Sequence, residues 1–532
     1  MAQIAASAAV LPVEEWKPRS PPWVIAAAVM SATFMVVLDS TVVNVALPHI
    51  AGSLSASTDE ATWTLTSYLV ANAIVLPATG WLGSLLGRKR LLLGCIVIFT
   101  LASIACGVAH SLAFLIGARI VQGLGGGAMQ PISQSVLLES FRPSKRGMAM
   151  AIFGLGVVVA PIIGPTLGGW ITDNYSWRWV FYINLPVGVM AVLLVQTFVE
   201  DPPYIRHARA GRIDFLGLAL LVLCIGSLYL MLDKGQEEDW LSSPFIRILL
   251  VTTLVTFPFL VIWELGRREP VINLRILRNR NFLTGCALIT VIGAVLYGST
   301  VLLPLFLQTL LGYPAYQSGL VMSPRGFGAM VAMFVVGRIV GVVDVRFLLI
   351  LGFLALGYSI YAFGNLDLQI APTDVIWPNV MNGLAMGFIF VPLTTSAVGT
   401  LRNEEMANAT SIYNLLRNIG AAVGIAMLTT FLARGAQVHQ TVLVSHMTPY
   451  DAAYQQQAQA IQSALAPQSG TYEAGQTAGA ILGAQVTQQA TLWAYVDNFR
   501  LLAVLAIACI PGVFLLRRLR HKEEHSAAAA RD

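Results

Sequence analysis

Charge is what this 532-residue chain has least of. Asp, Glu, Lys and Arg together make up 11% of it, against about 25% in soluble domains. With a hydrophobic share of 56%, the chain has too little polar surface to cover a water-soluble core and reads as a polytopic membrane protein. Cysteine is also sparse. Cys95, Cys106, Cys224, Cys286 and Cys509 all fall inside apolar runs without CxxC spacing, so neither a disulfide framework nor a zinc site is indicated. No Gly-Lys pair occurs, which excludes the phosphate-binding loop of a primary pump. The seven histidines sit in loops or at the ends of apolar runs, and no nucleophile is clustered with a base as a membrane-embedded enzyme needs. His446 to Asp451 spells H-x-x-x-x-D, a spacing attributed here to chance. Ahead of Trp23 stand Glu14, Glu15, Lys17, Arg19 and several prolines instead of a basic stretch followed by an apolar core. A cleaved signal peptide is therefore not expected, and the N-terminus is expected in the cytoplasm.

Apolar runs, by contrast, are abundant. Fourteen are long enough to cross a bilayer at roughly 20 residues each: near 23–47, 62–86, 91–110, 112–139, 147–171, 179–199, 213–233, 244–265, 282–311, 315–341, 346–366, 373–399, 407–432 and 497–517. The cations fall in alternate loops. Arg88, Lys89 and Arg90; Arg142, Lys145 and Arg146; Arg206, Arg209 and Arg212; Arg267, Arg268, Arg275, Arg278 and Arg280; and Arg517, Arg518, Arg520 and Lys522 all lie on one side, which is expected to be the cytoplasm, with both termini there. The formal charge of +5 thus sets topology, and no nucleic-acid partner is implied.

The chain also repeats itself. Ala46-Leu47-Pro48 recurs 256 residues on as Leu302-Leu303-Pro304, and Gly80 recurs after 257 as Gly337. Gln122-Gly123-Leu124 matches Asn382-Gly383-Leu384, and Ile152 to Leu155 matches Ile412 to Leu415, both at an offset of 260. This predicts an all-α membrane protein of two parallel six-helix halves, 23–199 and 282–517, around an inserted helix pair in 200–281. A cytoplasmic segment 1–22, an external loop 433–496 and a cytoplasmic tail 518–532 complete it.

One acid stands deep inside the first of these runs, away from its ends. Asp39 lies among Met35 to Leu38 and Val42 to Val45, where a carboxylate costs roughly 2.5–3.5 kcal/mol to insert, so it is expected to face a cavity and have a task. Counted from the outer ends of their helices, Asp39 and Arg119 both sit some 12–14 Å deep at about 1.5 Å per residue. Two readings stand: a pair that opens and closes while a proton is loaded, or a fixed ion pair holding the first and fourth helices together. The equivalent positions in the second half are Val295 and Asn379, which assigns proton coupling to the first half. Arg325 and Arg417 are further intramembrane cations, either lining the cavity or snorkelling to backbone carbonyls. Asn44, Asn72, Gln130, Gln134 and Gln308 are candidate polar lining. Gly156, Ala160, Gly164 and Gly168 make a stripe of small residues four apart on the fifth helix, beside Gly169 and bent by Pro161 and Pro165, which suits a gate or ordinary close packing.

Several motifs now agree in order: Leu38 to Pro48, Gly80-Trp81-Leu82-Gly83-Ser84-Leu85-Leu86-Gly87-Arg88-Lys89-Arg90, Arg119 to Gly123, and Gly164 to Gly169. On these the chain resembles the major facilitator superfamily, specifically the fourteen-helix EmrB/QacA-type drug and proton antiporters, over nearly its whole length. The resemblance implies that the fifth-helix stripe is the antiporter signature, thought to seal the leak path between the halves, with Ala160 where the family often has glycine. It also implies a loop motif after the second helix in which Ser84 replaces the usual Asp, leaving an interdomain latch without its acid. Arg88, Lys89 and Arg90 are then left to hold lipid phosphates and helix ends, or only to set orientation. The Gln- and Ala-rich stretch 433–496 resembles that of the EmrB branch, which implies docking to a periplasmic adaptor and an outer-membrane channel; by composition, segments such as Tyr454 to Leu465 can form helices, although a polar tether is the simpler reading.

A secondary transporter of the cell inner membrane is the class that fits, and no cofactor beyond the proton as coupling ion is implied. The resemblance implies a proton-driven multidrug efflux antiporter working by alternating access, and Asp39 set against Arg119, Arg325 and Arg417 leads to neutral or weakly acidic lipophilic toxic compounds as its expected substrates. A dedicated exporter of one lipid, siderophore or secondary metabolite is the second possibility.

Overall fold

The computed structural model describes residues 18–142, 145–202, 214–267, 270–445, 447–448 and 450–517. Expectations for 1–17, for Arg206, Arg209, Arg212 and Arg268, for His446 and for the tail from Arg518 lie outside them. Among the described residues fourteen helices are long and apolar enough to cross a membrane: α1 Pro22–Ser53, α2 Asp59–Leu86, α3 Arg88–Gly107, α4 Leu112–Ser140, α5 Arg146–Asn174, α6 Trp179–Phe198, α7 Phe215–Lys234, α8 Pro244–Gly266, α9 Arg280–Leu310, α10 Gln317–Ile339, α11 Val345–Phe363, α12 Pro372–Val398, α13 Asn403–Ser445 and α14 Thr471–Val513. In lipid every backbone amide must be satisfied within its own segment, so runs of this length fold as helices despite internal prolines such as Pro48, Pro77 and Pro161.

Local signals set the boundaries. Ser57 caps α2 by accepting from the Glu60 amide while the Glu60 carboxylate accepts from the Ser57 amide, a reciprocal capping box. Gly87, at φ 84°, turns the chain between α2 and α3 in a left-handed conformation that a side chain would strain.

Packing follows the internal repeat. In the first half α1 lies on α5, and α4 on α2 and α3; in the second half α9 lies on α13, and α12 on α10 and α11. The inserted α7 and α8 pack on each other, and α7 lies over the seam between α2 and α13. The outer face of α8 presents Ile248, Val251, Leu254, Phe259 and Ile262, all exposed, as a lipid-facing helix should. The turn after α7 is anchored on both halves. Lys234 Nζ donates to Thr62 Oγ1 at 2.7 Å and Thr66 donates to Asp233, while Trp240 Nε1 donates to Thr430 Oγ1 at 3.0 Å.

The stretch 433–496 departs from the expected loop. α13 runs unbroken to Ser445, a helix Ala452–Ser469 follows, and α14 begins at Thr471. The Ala- and Gln-rich composition read as a tether also has high helix propensity. Packing of Ala452–Ser469 along α14 and a His439 to Asp497 contact at 2.8 Å between α13 and α14 supply the tertiary support that composition alone does not reveal.

Candidate functional site

The site begins with Asp39, fully buried on α1. Its Oδ2 accepts from Arg119 Nη1 at 2.7 Å, and its Oδ1 accepts from Gln122 Nε2 at 2.9 Å and Asn184 Nδ2 at 2.7 Å. Arg119, itself fully buried, also donates from Nη1 to Gln122 Oε1 at 2.7 Å and from Nε to the Thr64 carbonyl at 3.0 Å, with the Tyr68 ring 4.0 Å from its guanidinium carbon. Ser103 accepts from Asn184 at 3.0 Å and donates to the Phe181 carbonyl at 2.9 Å. One carboxylate thereby draws α1, α4 and α6 together, with α2 and α3 bound through Thr64 and Ser103. Charge-assisted bonds of this kind are roughly twice as strong as neutral ones, and the low dielectric makes each partner costly to remove.

Asp39 and Arg119 were legible as a depth-matched pair; Gln122, Asn184 and Ser103 were not singled out as ligands of the acid. Asn184 carried a signal, because Trp179 and Asn184 recur five apart as Trp493 and Asn498, a further repeat between the halves.

The small-residue stripe lies on the helix that carries the acid. Space that side chains would fill at Gly156, Gly164 and Gly168 is occupied by Met30, Thr41 and Val42 of α1, and Ala160 is fully buried beside them. Gly169 is near Val45, and Pro161 and Pro165 sit within the same helix. The stripe therefore mates α5 with α1 inside the first half, the close packing that was one of its two readings. The contact between halves uses another face of α5: Gly154 meets Met333 and Phe390, Gly147 meets Val340, and Phe153 stacks on Phe390 at 6.1 Å.

The hydrogen bonds that join the halves among the described residues cluster at the end of the basic loops. Arg417 Nη2 donates to Gln130 Oε1 at 2.9 Å, Asn414 Nδ2 to Gln134 Oε1 at 2.6 Å, Thr410 Oγ1 to the Pro131 carbonyl at 3.0 Å and Arg146 Nη2 to Asn403 Oδ1 at 2.7 Å. Gln130 and Gln134 thus serve in a closed seam instead of lining an open cavity in this state. Arg325, buried on α10, donates to Thr300 Oγ1 at 2.8 Å. The other polar candidates are dispersed. Asn44 is exposed on α1, Asn72 is half-buried beside Gly126, and Gln308 lies in a π-turn at the end of α9, 3.4 Å from Ser318 Oγ.

The basic loop grips helix ends, one of the roles expected of it. Arg88 is buried and paired with Glu139 of α4, so it braces α3 against α4. The Lys89 amide donates to Asp201 at 2.9 Å and its ammonium to the Gln196 carbonyl at 2.6 Å, tying the loop to the end of α6. Arg90 is exposed, and Gly80 is packed directly against Asn408 of the other half.

Comparison with known proteins agrees with this architecture. A model of the Major Facilitator Superfamily matches residues 29–425. The multidrug export protein EmrB of Haemophilus influenzae is 41% identical over 423 residues, 79% of this chain and 82% of its own length. The fatty acid resistance protein FarB of Neisseria gonorrhoeae is 36% identical over 491 residues, 91% of this chain and 94% of its own. The solved structure of the human organic anion transporter MFSD10 aligns with a TM-score of 0.58 at 12% identity, covering 91% of this chain and 99% of its own, a likeness of fold alone.

Proposed function

The chain belongs to the major facilitator superfamily, and from that premise we propose that it is a proton-driven multidrug efflux antiporter, exporting neutral or weakly acidic lipophiles by alternating access. Its work is transport, not catalysis. The observation that carries the reading is the fully buried Asp39, held by hydrogen bonds from Arg119, Gln122 and Asn184. A proton arriving on Asp39 cancels its charge and releases Arg119 and Asn184 to other partners. The cost of leaving a buried guanidinium unpaired is then met by rearrangement of α1, α4 and α6. Because α5 mates with α1 on one face and with α10 and α12 on another, a shift of α1 reaches the seam between the halves. The closed hydrogen-bonded seam at the basic-loop end corresponds to a conformation shut toward the cytoplasm, with both termini on that side of the inner membrane.

The proton is the coupling ion, and no other cofactor enters the cycle. One proton moving down about 100 mV supplies roughly 2.3 kcal/mol, enough for a gradient on the order of fiftyfold. Similarity to EmrB and the helices that continue past the bilayer at Ser445 and Thr471 favour docking of a periplasmic adaptor, and through it an outer-membrane channel, on the protruding helices.

The test is uptake of a lipophilic drug into inverted vesicles under an imposed pH gradient, alongside the amount of inserted protein. Asp39→Asn is expected to insert normally and lose proton-driven uptake; near-normal uptake would refute the proposal. Similarity to FarB along 91% of the chain favours a second reading, a dedicated exporter of a single lipid. That reading is preferred if one lipid is transported and dyes and antibiotics are not.

A further inference from the structure

The inserted pair α7 and α8 has no counterpart in the internal repeat, and its two helices are joined by a turn at the end of the molecule opposite the basic loops. α8 packs chiefly on α7, and α7 lies against α2 and, less extensively, against α13. Toward the first half the turn is held by charged groups. Lys234, 4% exposed, donates from Nζ to Thr62 Oγ1 at 2.7 Å with the Trp63 ring 5.3 Å away, and Asp233 accepts from Thr66. Thr62 and Thr66 stand four apart on one face of α2, so both bonds grip the same surface. Toward the second half the turn is held, among the described residues, by one neutral hydrogen bond, from Trp240 Nε1 to Thr430 Oγ1 at 3.0 Å. The Thr430 hydroxyl spends its own proton on the Ala426 carbonyl at 2.7 Å, which leaves its lone pairs to the indole. Charge-assisted bonds are roughly twice as strong as neutral ones, so the turn belongs to α2 and is fastened more weakly to α13.

The backbone behind the indole is bent to aim it. Asp239 and Trp240 both lie at φ 51°, two successive side-chain-bearing residues in the left-handed region, which such residues keep only where their surroundings hold them. The ring folds back over Gly235, where a Cβ would stand 2.7 Å from it, and the Trp240 amide donates to the Gly235 carbonyl at 2.7 Å. Its target is on the helix that also closes the seam at the basic-loop end, through Arg417 and Gln130. Thr430 lies 13 residues beyond Arg417, about 20 Å along α13 at 1.5 Å per residue. A tilt of about 10° at the level of Arg417 displaces Thr430 by about 3 Å, beyond the reach of the indole N–H.

Resting on the alternating-access reading above, we propose that the turn between α7 and α8 is a latch between the halves. Carried by α2, it engages Thr430 through Trp240 while the seam at the basic-loop end is shut, and it lets go when that seam opens. The inserted pair thereby weights the balance of conformations toward the shut one.

Distances between spin labels in the full-length protein in lipid nanodiscs test this, with the labels on introduced cysteines, since the five native cysteines are buried. Exposed Arg90 and Arg402, one on each half at the basic-loop end, report the seam. Trp240→Phe keeps an aromatic ring, Thr430→Val keeps the shape, and each removes the same bond. Each is expected to raise the population with the longer distance between positions 90 and 402 at least threefold, and the double variant to raise it no further than either single one. A label at exposed Leu241 is expected to show one distance to position 59 of α2 and two to position 434 of α13. Unchanged populations in a single variant, even with a lowered unfolding temperature, overturn the proposal, as do additive effects in the double variant or two distances between positions 241 and 59. Should Trp240→Phe not fold, Thr430→Val carries the test. No substrate or pH gradient enters these measurements, so failure of the proton-coupling reading shows in vesicle uptake and failure of this one shows in the label distances.

Discussion

The two halves place polar residues at the same repeat positions and do opposite things with them. In the first half Ser103, Arg119, Gln122 and Asn184 converge on Asp39. At the corresponding places the second half has Ser359, Asn379, Asn382 and Asn498, with Val295 in place of the acid. Without an anion to gather them they turn elsewhere: Ser359 donates to the Pro378 carbonyl at 2.7 Å, Asn379 to the Val321 carbonyl at 3.3 Å and Asn498 to the Ala494 carbonyl of its own helix at 2.8 Å. Asn382 is fully buried with both ends of its amide unpartnered. A buried acid thus organises its neighbours into one network, whereas the same neighbours without it are separate liabilities.

The largest effect that tests this contrast is at its centre. Asp39→Asn removes the titrating group at nearly constant shape and is expected to eliminate the proton-driven component of vesicle uptake, while Asn382→Leu leaves uptake within twofold. Equal losses would show the halves to be functionally alike. Next comes the asparagine pair. Asn184→Leu strips one donor from the carboxylate, a loss of about 1–3 kcal/mol, and is expected to cut uptake on the order of tenfold; Asn498→Leu is expected to leave it within twofold. The third effect has the opposite sign. Because its amide is buried without partners, Asn382→Leu is expected to raise thermal stability by about 1–3 kcal/mol, and Gln122→Leu to lower it by a similar amount, read from unfolding of purified protein in one detergent. Smallest is His439→Ala, which breaks a solvent-exposed contact with Asp497 worth about 0–1 kcal/mol; it is expected to leave both uptake and unfolding temperature nearly unchanged.

How much of this was legible beforehand differs by level. Span number, the repeat and the inserted pair follow from apolar run length and loop charge, because the bilayer admits so few backbone solutions. Depth along a helix is arithmetic, so Asp39 and Arg119 could be matched. Azimuth is not: whether the Gly156 to Gly168 stripe faces α1 or the other half depends on crossing geometry that spacing does not encode. The partner of Arg88 was missed for a related reason. Glu139 stands at the end of α4, where an acid reads as a boundary residue, and only the fold brings it against α3. A helix over Tyr454 to Leu465 was open from composition and forms as Ala452–Ser469; what stayed hidden was its packing along α14, a contact with no local signature.

The length of α13 has a mechanical consequence. From Arg417, where it holds Gln130 of the other half, the helix runs unbroken to Ser445, a length of about 42 Å at 1.5 Å per residue. If the seam near Arg417 serves as its pivot, a tilt of about 10° there swings the far tip by about 7 Å for the same rise per residue. The tip is therefore a pointer whose position reports which way the transporter is open, and a neighbour touching it would receive that report at the moment the seam lets go.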